Sequence, residues 1–213
     1  MTKPGLPAEI SSKNSIDFLG YSLTVDKVSI KEASIKKIKK QISYILYRNL
    51  IQPLLKNSLA GQAIPANNKD KSFLVAMTQI RRYMYGGLSK QQMKDYLSGR
   101  SKRIYFKGIM SFYPLVDDVE QLKSLDGWLV SIIYRALKRR SNLLIGWRYN
   151  RTHIFPFNVA RNDLLESCEE KIINGKRLLE IPSFLLVQKT LQKGLVESGI
   201  ERIMNPDSLN YYY

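Results

Sequence analysis

The chain is short of the residues that build covalent or metal-centred chemistry. It has one cysteine, Cys168, and one histidine, His153. A single cysteine excludes a disulfide framework within the chain, and one residue of each type supplies too few ligands for a Cys/His zinc site. Cys168 is also a poor nucleophile, because the acidic run Glu166-Ser167-Cys168-Glu169-Glu170 disfavours a thiolate. A reduced, cytoplasmic compartment is the natural expectation. No apolar run approaches the ~18 residues of a membrane-spanning helix, and Met1-Thr2-Lys3-Pro4-Gly5-Leu6-Pro7 contains no apolar signal segment. Acidic residues are scarce as well: 18 Asp and Glu stand against 34 Lys and Arg, a net charge of +16. So large an excess goes beyond what solubility needs. It favours a polyanionic partner, since each phosphate neutralised by a cation releases counterions. Nucleic acid is expected ahead of an anionic membrane surface; an inert basic surface is the bland alternative.

What is present is enough to fold. Hydrophobic residues make up 44% of 213 positions, which supports one large or two small domains with a true core. The charge is uneven. Residues 1–57 carry +6, 58–110 carry +8, 111–160 carry +3 and 161–213 carry −1. A polyanion should therefore meet the first three quarters of the chain.

Periodicity predicts a mainly α chain with an N-terminal β-hairpin, a thumb-like helical bundle and a further helical C-terminal region. Leu19, Tyr21, Leu23 and Val25 alternate with small or polar residues, the pattern of a half-buried strand. Asp26-Lys27 offers a turn, and Val28-Ser29-Ile30 returns. Residues 1–31 thus form the hairpin segment. In 32–110 a helix is expected over 32–56, where Ile35, Ile38, Ile42, Ile45 and Leu46 recur at three- and four-residue steps. Lys36, Lys37, Lys40 and Tyr44 fall off that stripe, and Arg48 continues the basic side. No acidic residue occurs from Ala33 to Lys69, so these cations are not laced into local ion pairs. A loop over 57–70 follows, then a helix over 71–85 that stops at Gly86-Gly87, and a short helix capped by Ser89. Arg100 to Lys107 alternates cations with aromatics. Arg103 and Lys107 there suit phosphate contact beside stacked bases; a short strand or loop with ordinary core aromatics is the equal alternative. In 111–160, Asp117-Asp118 opens a long helix to about 140, its free N–H groups capped by carboxylates. Arg135, Lys138, Arg139 and Arg140 crowd its last turns, where cations also favour the helix dipole. Residues 161–213 read as a helical extension, with a helix through Leu164, Cys168, Ile172 and Ile173. Pro182, Gly194, Gly199 and Pro206 should break the rest into short pieces.

Ile16-Asp17-Phe18-Leu19-Gly20-Tyr21 resembles the Phe-Leu-Gly signature of reverse transcriptases of the group II intron, retron and bacterial defence lineages. In that family the signature forms the primer-grip hairpin, and a basic helix after it opens the thumb; Ser34-Ile35-Lys36-Lys37-Ile38-Lys39-Lys40 stands in that place. Tyr85-Gly86-Gly87-Leu88-Ser89, Lys107-Gly108-Ile109-Met110-Ser111-Phe112-Tyr113 and Leu125-Asp126-Gly127-Trp128-Leu129 are similar to C-terminal segments of defence-associated, abortive-infection-like members. The resemblance covers roughly residues 10–150. It implies that Phe18, Leu19, Gly20 and Tyr21 touch a primer strand, and that Lys36, Lys37, Lys40 and Arg48 track the phosphates of an RNA–DNA hybrid. It also implies RNA as a partner.

The family's polymerase chemistry needs palm carboxylates holding two divalent metals. Its aromatic-x-Asp-Asp motif precedes the Phe-Leu-Gly hairpin, and the 17 residues before Phe18 contain none. Tyr113-Pro114-Leu115-Val116-Asp117-Asp118 imitates the motif but reads as a helix start. The resemblance therefore implies a thumb and C-terminal region without its engine, inactive alone, binding no cofactor itself. Magnesium would belong to the missing palm, which a separate subunit or the rest of a longer enzyme would supply. Two other readings stand beside this one. The chain is an assembly module that packs against a palm, or Tyr211-Tyr212-Tyr213 primes synthesis from a protein hydroxyl.

Overall fold

The computed structural model describes residues 15–55, 71–146, 172–173, 176–177 and 180–203. It is mostly helical, with a small antiparallel sheet at its N-terminal end. The sheet has three strands in the order β1 (Ile16–Phe18), β2 (Tyr21–Leu23) and β3 (Val28–Ile30). Sequence alternation had predicted one strand running through Leu19 to Val25. Instead the chain turns at Leu19-Gly20, where φ is 44° and 90°. Two consecutive residues with positive φ form the tight turn whose twist matches paired strands. Val25 sits at the tip of the next loop, fully exposed. Register places Phe18, Tyr21 and Ile30 side by side on one face. That face is buried at Ile30 and open at Phe18, which is 62% exposed.

From β3 the chain enters α1 (Glu32–Leu46). Its expected stripe, Ile35, Ile38, Ile42, Ile45 and Leu46, is the buried one. The helix continues through a π-helical stretch, Tyr47–Ile51, into a last turn, α2 (Gln52–Leu55). Pro53 gives the physical reason. It has no N–H to donate, and its ring would strike the carbonyl one turn back. Widening the helix relieves that clash, and the Gln52 amide bonds five residues back to Tyr47. Next come α3 (Lys71–Tyr85) and α4 (Lys90–Leu97). Ser89 caps α4 as predicted, in a reciprocal capping box with Gln92. The expected loop over 57–70 and Lys56 lie outside the described residues.

Residues 100–108 form no strand. They run beside α4 with Ile104 and Phe106 buried and Tyr105 exposed. Gly108 then brings the chain against the end of α3 and starts a 3₁₀ turn, Ile109–Phe112. Asp117-Asp118 opens α5 (Val119–Gly146), six residues longer than predicted. Asp118 is its N-cap: Oδ1 accepts from the Gln121 amide at 3.1 Å. The same loop closes the outer edge of β3. Asp117 Oδ1 accepts from Val28 N at 2.7 Å, and the amides of Asp117 and Asp118 donate to Val28 O. Gln121 exchanges two hydrogen bonds with the Ile30 backbone. Asp118 Oδ2 takes the Ser29 hydroxyl at 2.7 Å and the Lys27 ammonium at 2.9 Å.

Burial alone would raise the Asp118 pKa. The hydrogen bonds from Ser29, Lys27 and Gln121, with the Lys27 charge, outweigh it and hold the carboxyl below its usual range. The stability it contributes is therefore present above the unfolded-state pKa of about 3.9 and is lost as pH falls through the lower folded value. Asp118→Asn should cost about 1–2 kcal/mol at pH 7 through the lost charged acceptor for Ser29 and Lys27. In urea unfolding across pH, the gap from the parent should narrow as pH falls below the ordinary carboxylate range and close once the folded carboxyl is protonated. A gap independent of pH would contradict this account.

The C-terminal part departs from expectation. Ile172–Ile173 is a short strand, β4, paired with β5 (Lys176–Arg177), not the end of a helix. The rest of the predicted helix, including Cys168, lies outside the described residues. Gly194 does not break the chain: α6 (Phe184–Ser198) runs through it. A Cβ there would stand 2.7 Å from Ile203 Cγ2, so glycine admits the short α7 (Ile200–Ile203). Asp126, two turns into α5, caps α6 by accepting from Ser183 Oγ at 2.7 Å and Phe184 N at 2.6 Å. One core joins all of this, from Ile30 through α1, α3, α4 and α5 to Val187, Leu191 and Ile203. Among the described residues no helix is long and apolar enough to cross a membrane.

Candidate nucleic-acid interface

α1 buries one side and leaves a broad cationic face. Its outward residues form two adjacent stripes at helical spacing. One holds Lys36, Lys40, Ser43 and Tyr47; the other holds Lys37, Gln41, Tyr44 and Arg48. Lys36, Lys37, Lys40 and Arg48 are exposed. None of the four forms an ion pair among the described residues.

α5 lies parallel to α1 and adds to this face. Val28 and Asp117, at the start of the pairing, are 89 residues apart in sequence. Lys39 and Trp128, further along, keep the same separation. The Lys39 ammonium sits over the Trp128 ring, 5.5 Å from its centroid, a cation–π contact that ties the helices together. Beyond it a groove of about 210 Å³ opens between them. Leu46, Ile51 and Ile132 line the groove, with Tyr47, Arg135 and Arg139 around them. Both arginines are exposed. The structure thus brings Arg135 and Arg139 beside the Lys36–Lys40 stripe. No Asp or Glu occurs on α5 after Asp126. The longer helix also removes a structural explanation for these cations. Dipole effects fade within the last turn, and Arg135 and Arg139 lie more than one turn before Gly146. Lys138 is exposed on the same end of α5, one stripe further out.

The hairpin tip sits at the opposite end. Leu19 is 80% exposed despite its positive φ. Gly20 packs inward: a Cβ there would lie 3.3 Å from the Tyr113 ring and 3.4 Å from Ser34 Oγ. Its open backbone therefore receives the protein's own side chains, where the sequence suggested a ligand. Tyr21 is half-buried, edge-on to Tyr113, and donates its hydroxyl to Phe112 O at 3.0 Å. Burial, above all, raises the Tyr21 pKa, so the phenol remains a donor. Only Phe18 and Leu19 of the predicted four are offered to solvent. Ser34, Lys37 and Gln41 follow at helical spacing, so the tip leads into the second cationic stripe.

Three predicted residues do not join this surface. Arg140 is 3% exposed and faces the core side of α5, out of reach of a phosphate backbone. Arg103 borders a separate cavity built from α4, the 100–108 loop and α7. Lys107 is half-buried, its Cβ pressed against Gly86. Sequence reasoning missed Tyr47 as a groove residue. Its spacing of seven from Lys40 was a readable signal. Trp147, Arg148 and Arg151 lie outside the described residues, and among the described residues no cluster of three or more His, Cys, Asp or Glu is placed to hold a metal. No family model matches this chain, and neither a curated protein nor a solved structure matches it.

Proposed function

We propose that this protein grips a nucleic-acid duplex, as the thumb and C-terminal part of an RNA-directed DNA polymerase. The observation that carries the reading is the face of cations on two parallel helices, without ion-pair partners among the described residues, with an exposed apolar tip at one end. Lysines and arginines without acidic partners, spread over a face wider than one helix, fit a phosphate backbone read by shape. Tyr44 and Tyr47 add rings among the cations. The order of Phe-Leu-Gly turn, strand and basic helix supports placing the tip at a primer end and an RNA–DNA hybrid along α1 and α5. The palm carboxylates and their magnesium belong to a palm, in this reading, and a role in antiphage defence follows from the resemblance alone.

A second reading is favoured by the exposed apolar residues Phe18, Leu19, Phe112 and Leu115. They fit an assembly surface that a palm covers, with the cations incidental.

Binding of a labelled RNA–DNA hybrid across a salt series separates the two. The parent chain should bind with affinity that falls steeply with salt. Changing Lys36, Lys37 and Lys40 together to Glu should flatten the log–log salt slope by about 3 and abolish binding at physiological salt. Salt-indifferent binding, or binding that survives the triple change, would give the assembly reading precedence.

A further inference from the structure

A second cationic site lies apart from α1 and α5. We infer that the cavity between the 100–108 loop and α7 binds a nucleoside 5′-phosphate. The cavity holds about 360 Å³, within the size range of small-molecule sites. Lys102, Arg103 and Arg202 line it, along with Ser198 and the rings of Tyr96 and Tyr105. Among the described residues no carboxylate lines it. Glu201, beside Arg202 on α7, is exposed and is not a lining residue; the acids of α4 and α6 are already engaged. Glu197 accepts the Tyr96 hydroxyl at 3.1 Å and pairs with Lys193 at 3.4 Å. Asp95 pairs with Arg100 at 2.7 Å. Lys102, Arg103 and Arg202 have no ion-pair partner among the described residues.

Three cations around a concavity match the charge of a phosphate group. The aromatic wall selects among phosphates. Tyr105 is 41% exposed, while its neighbours Ile104 and Phe106 are buried and hold the segment in place. Phe106 N donates to Ile203 O at 2.8 Å, which fixes α7 against the loop. A base can stack on such an anchored ring. On the other side of Arg103 and Tyr105 a second cavity of about 280 Å³ carries Gln92, Asp95 and Ser101. Those groups both donate and accept hydrogen bonds, as a base edge or ribose requires. Phosphate on the cationic side and base toward the polar side is the arrangement that uses both. The phosphate can come from a free nucleotide or from the 5′ end of a strand.

The test is calorimetric titration of the full chain with adenosine 5′-triphosphate, adenosine and inorganic tripolyphosphate. The nucleotide should bind at least tenfold more tightly than tripolyphosphate, and adenosine should not bind measurably. The double change Arg103→Glu and Arg202→Glu should weaken nucleotide binding at least tenfold with melting unchanged, because both side chains are on the surface. Tyr105→Leu should remove the preference over tripolyphosphate. The triple α1 variant should bind the nucleotide within twofold of the parent, which keeps this site separate from the duplex reading. Competition by a 5′-phosphorylated decamer, and not by its unphosphorylated form, would assign the ligand to a strand end; competition by neither would assign it to a free nucleotide. Equal binding of nucleotide and tripolyphosphate, or loss of binding in the α1 variant alone, would overturn the proposal.

Discussion

Alanine in place of Gly108 should cost the fold about 2–6 kcal/mol. Two independent effects add. Gly108 has φ 85° and ψ −177°, a region that side-chain-bearing residues occupy only at about 1–3 kcal/mol. A Cβ there would also lie 2.7 Å from Tyr83 O, 2.9 Å from Met84 C and 2.9 Å from Tyr85 N. Those are backbone atoms of a packed helix, which cannot swing aside as a long side chain can. Overpacking of this kind adds about 1–3 kcal/mol. Gly99 is the natural comparison: its φ is 78° but nothing lies within 4 Å of the position a Cβ would take. Gly99→Ala should therefore show only the conformational penalty, about 1–2 kcal/mol. Urea unfolding of the two variants measures both. Equal losses would mean that the α3 backbone yields, and that the contact at Gly108 carries little energy. Since domains are stable by only about 5–15 kcal/mol, the Gly108 variant should be visibly impaired in folding.

The second large effect concerns the groove. Changing Arg135 and Arg139 together to Glu should weaken hybrid binding by ~10–100-fold near 0.1 M salt and lower the salt slope by about 2. The two arginines border the groove with Tyr47, next to the stripe that carries Lys36 and Lys40. Their reversal places negative charge in the middle of the face. Both side chains are exposed, so melting should hold. An unchanged affinity would confine the duplex to the flank of α1 that carries Lys37 and Arg48.

Sequence pattern was informative wherever local chemistry decides the outcome. The stripe from Ile35 to Leu46, the start and stop of α3, the Ser89 cap and the Asp117-Asp118 helix start all depend on residues within a turn or two of one another. It was less informative where distant residues decide. Nothing local told that Gly194 would sit inside a helix, because the reason is Ile203 packing onto it. The burial of Arg140 follows from which side of α5 meets the core, and the helix's true end had to be known first. The turn at Leu19-Gly20 was hidden by an alternation that two short strands and one long strand share. The candidate site was legible as a set of cations. Its division into two stripes, the addition of Arg135 and Arg139, and the separation of Arg103 needed the parallel pairing of α1 with α5.

That pairing has a consequence of scale. α5 is anchored at Asp118 to β3, the third strand of the sheet that carries the tip, and it carries Arg139 near its far end. The 21 residue steps from one to the other span about 32 Å at 1.5 Å per residue. One turn of B-form DNA rises about 34–36 Å, and the A-like turn of an RNA–DNA hybrid is shorter. The helix is a molecular ruler of nearly that length, so the tip and the arginines would meet the same strand roughly one turn apart. A nuclease footprint on a bound duplex should then show two protected patches with that repeat and a more accessible stretch between them.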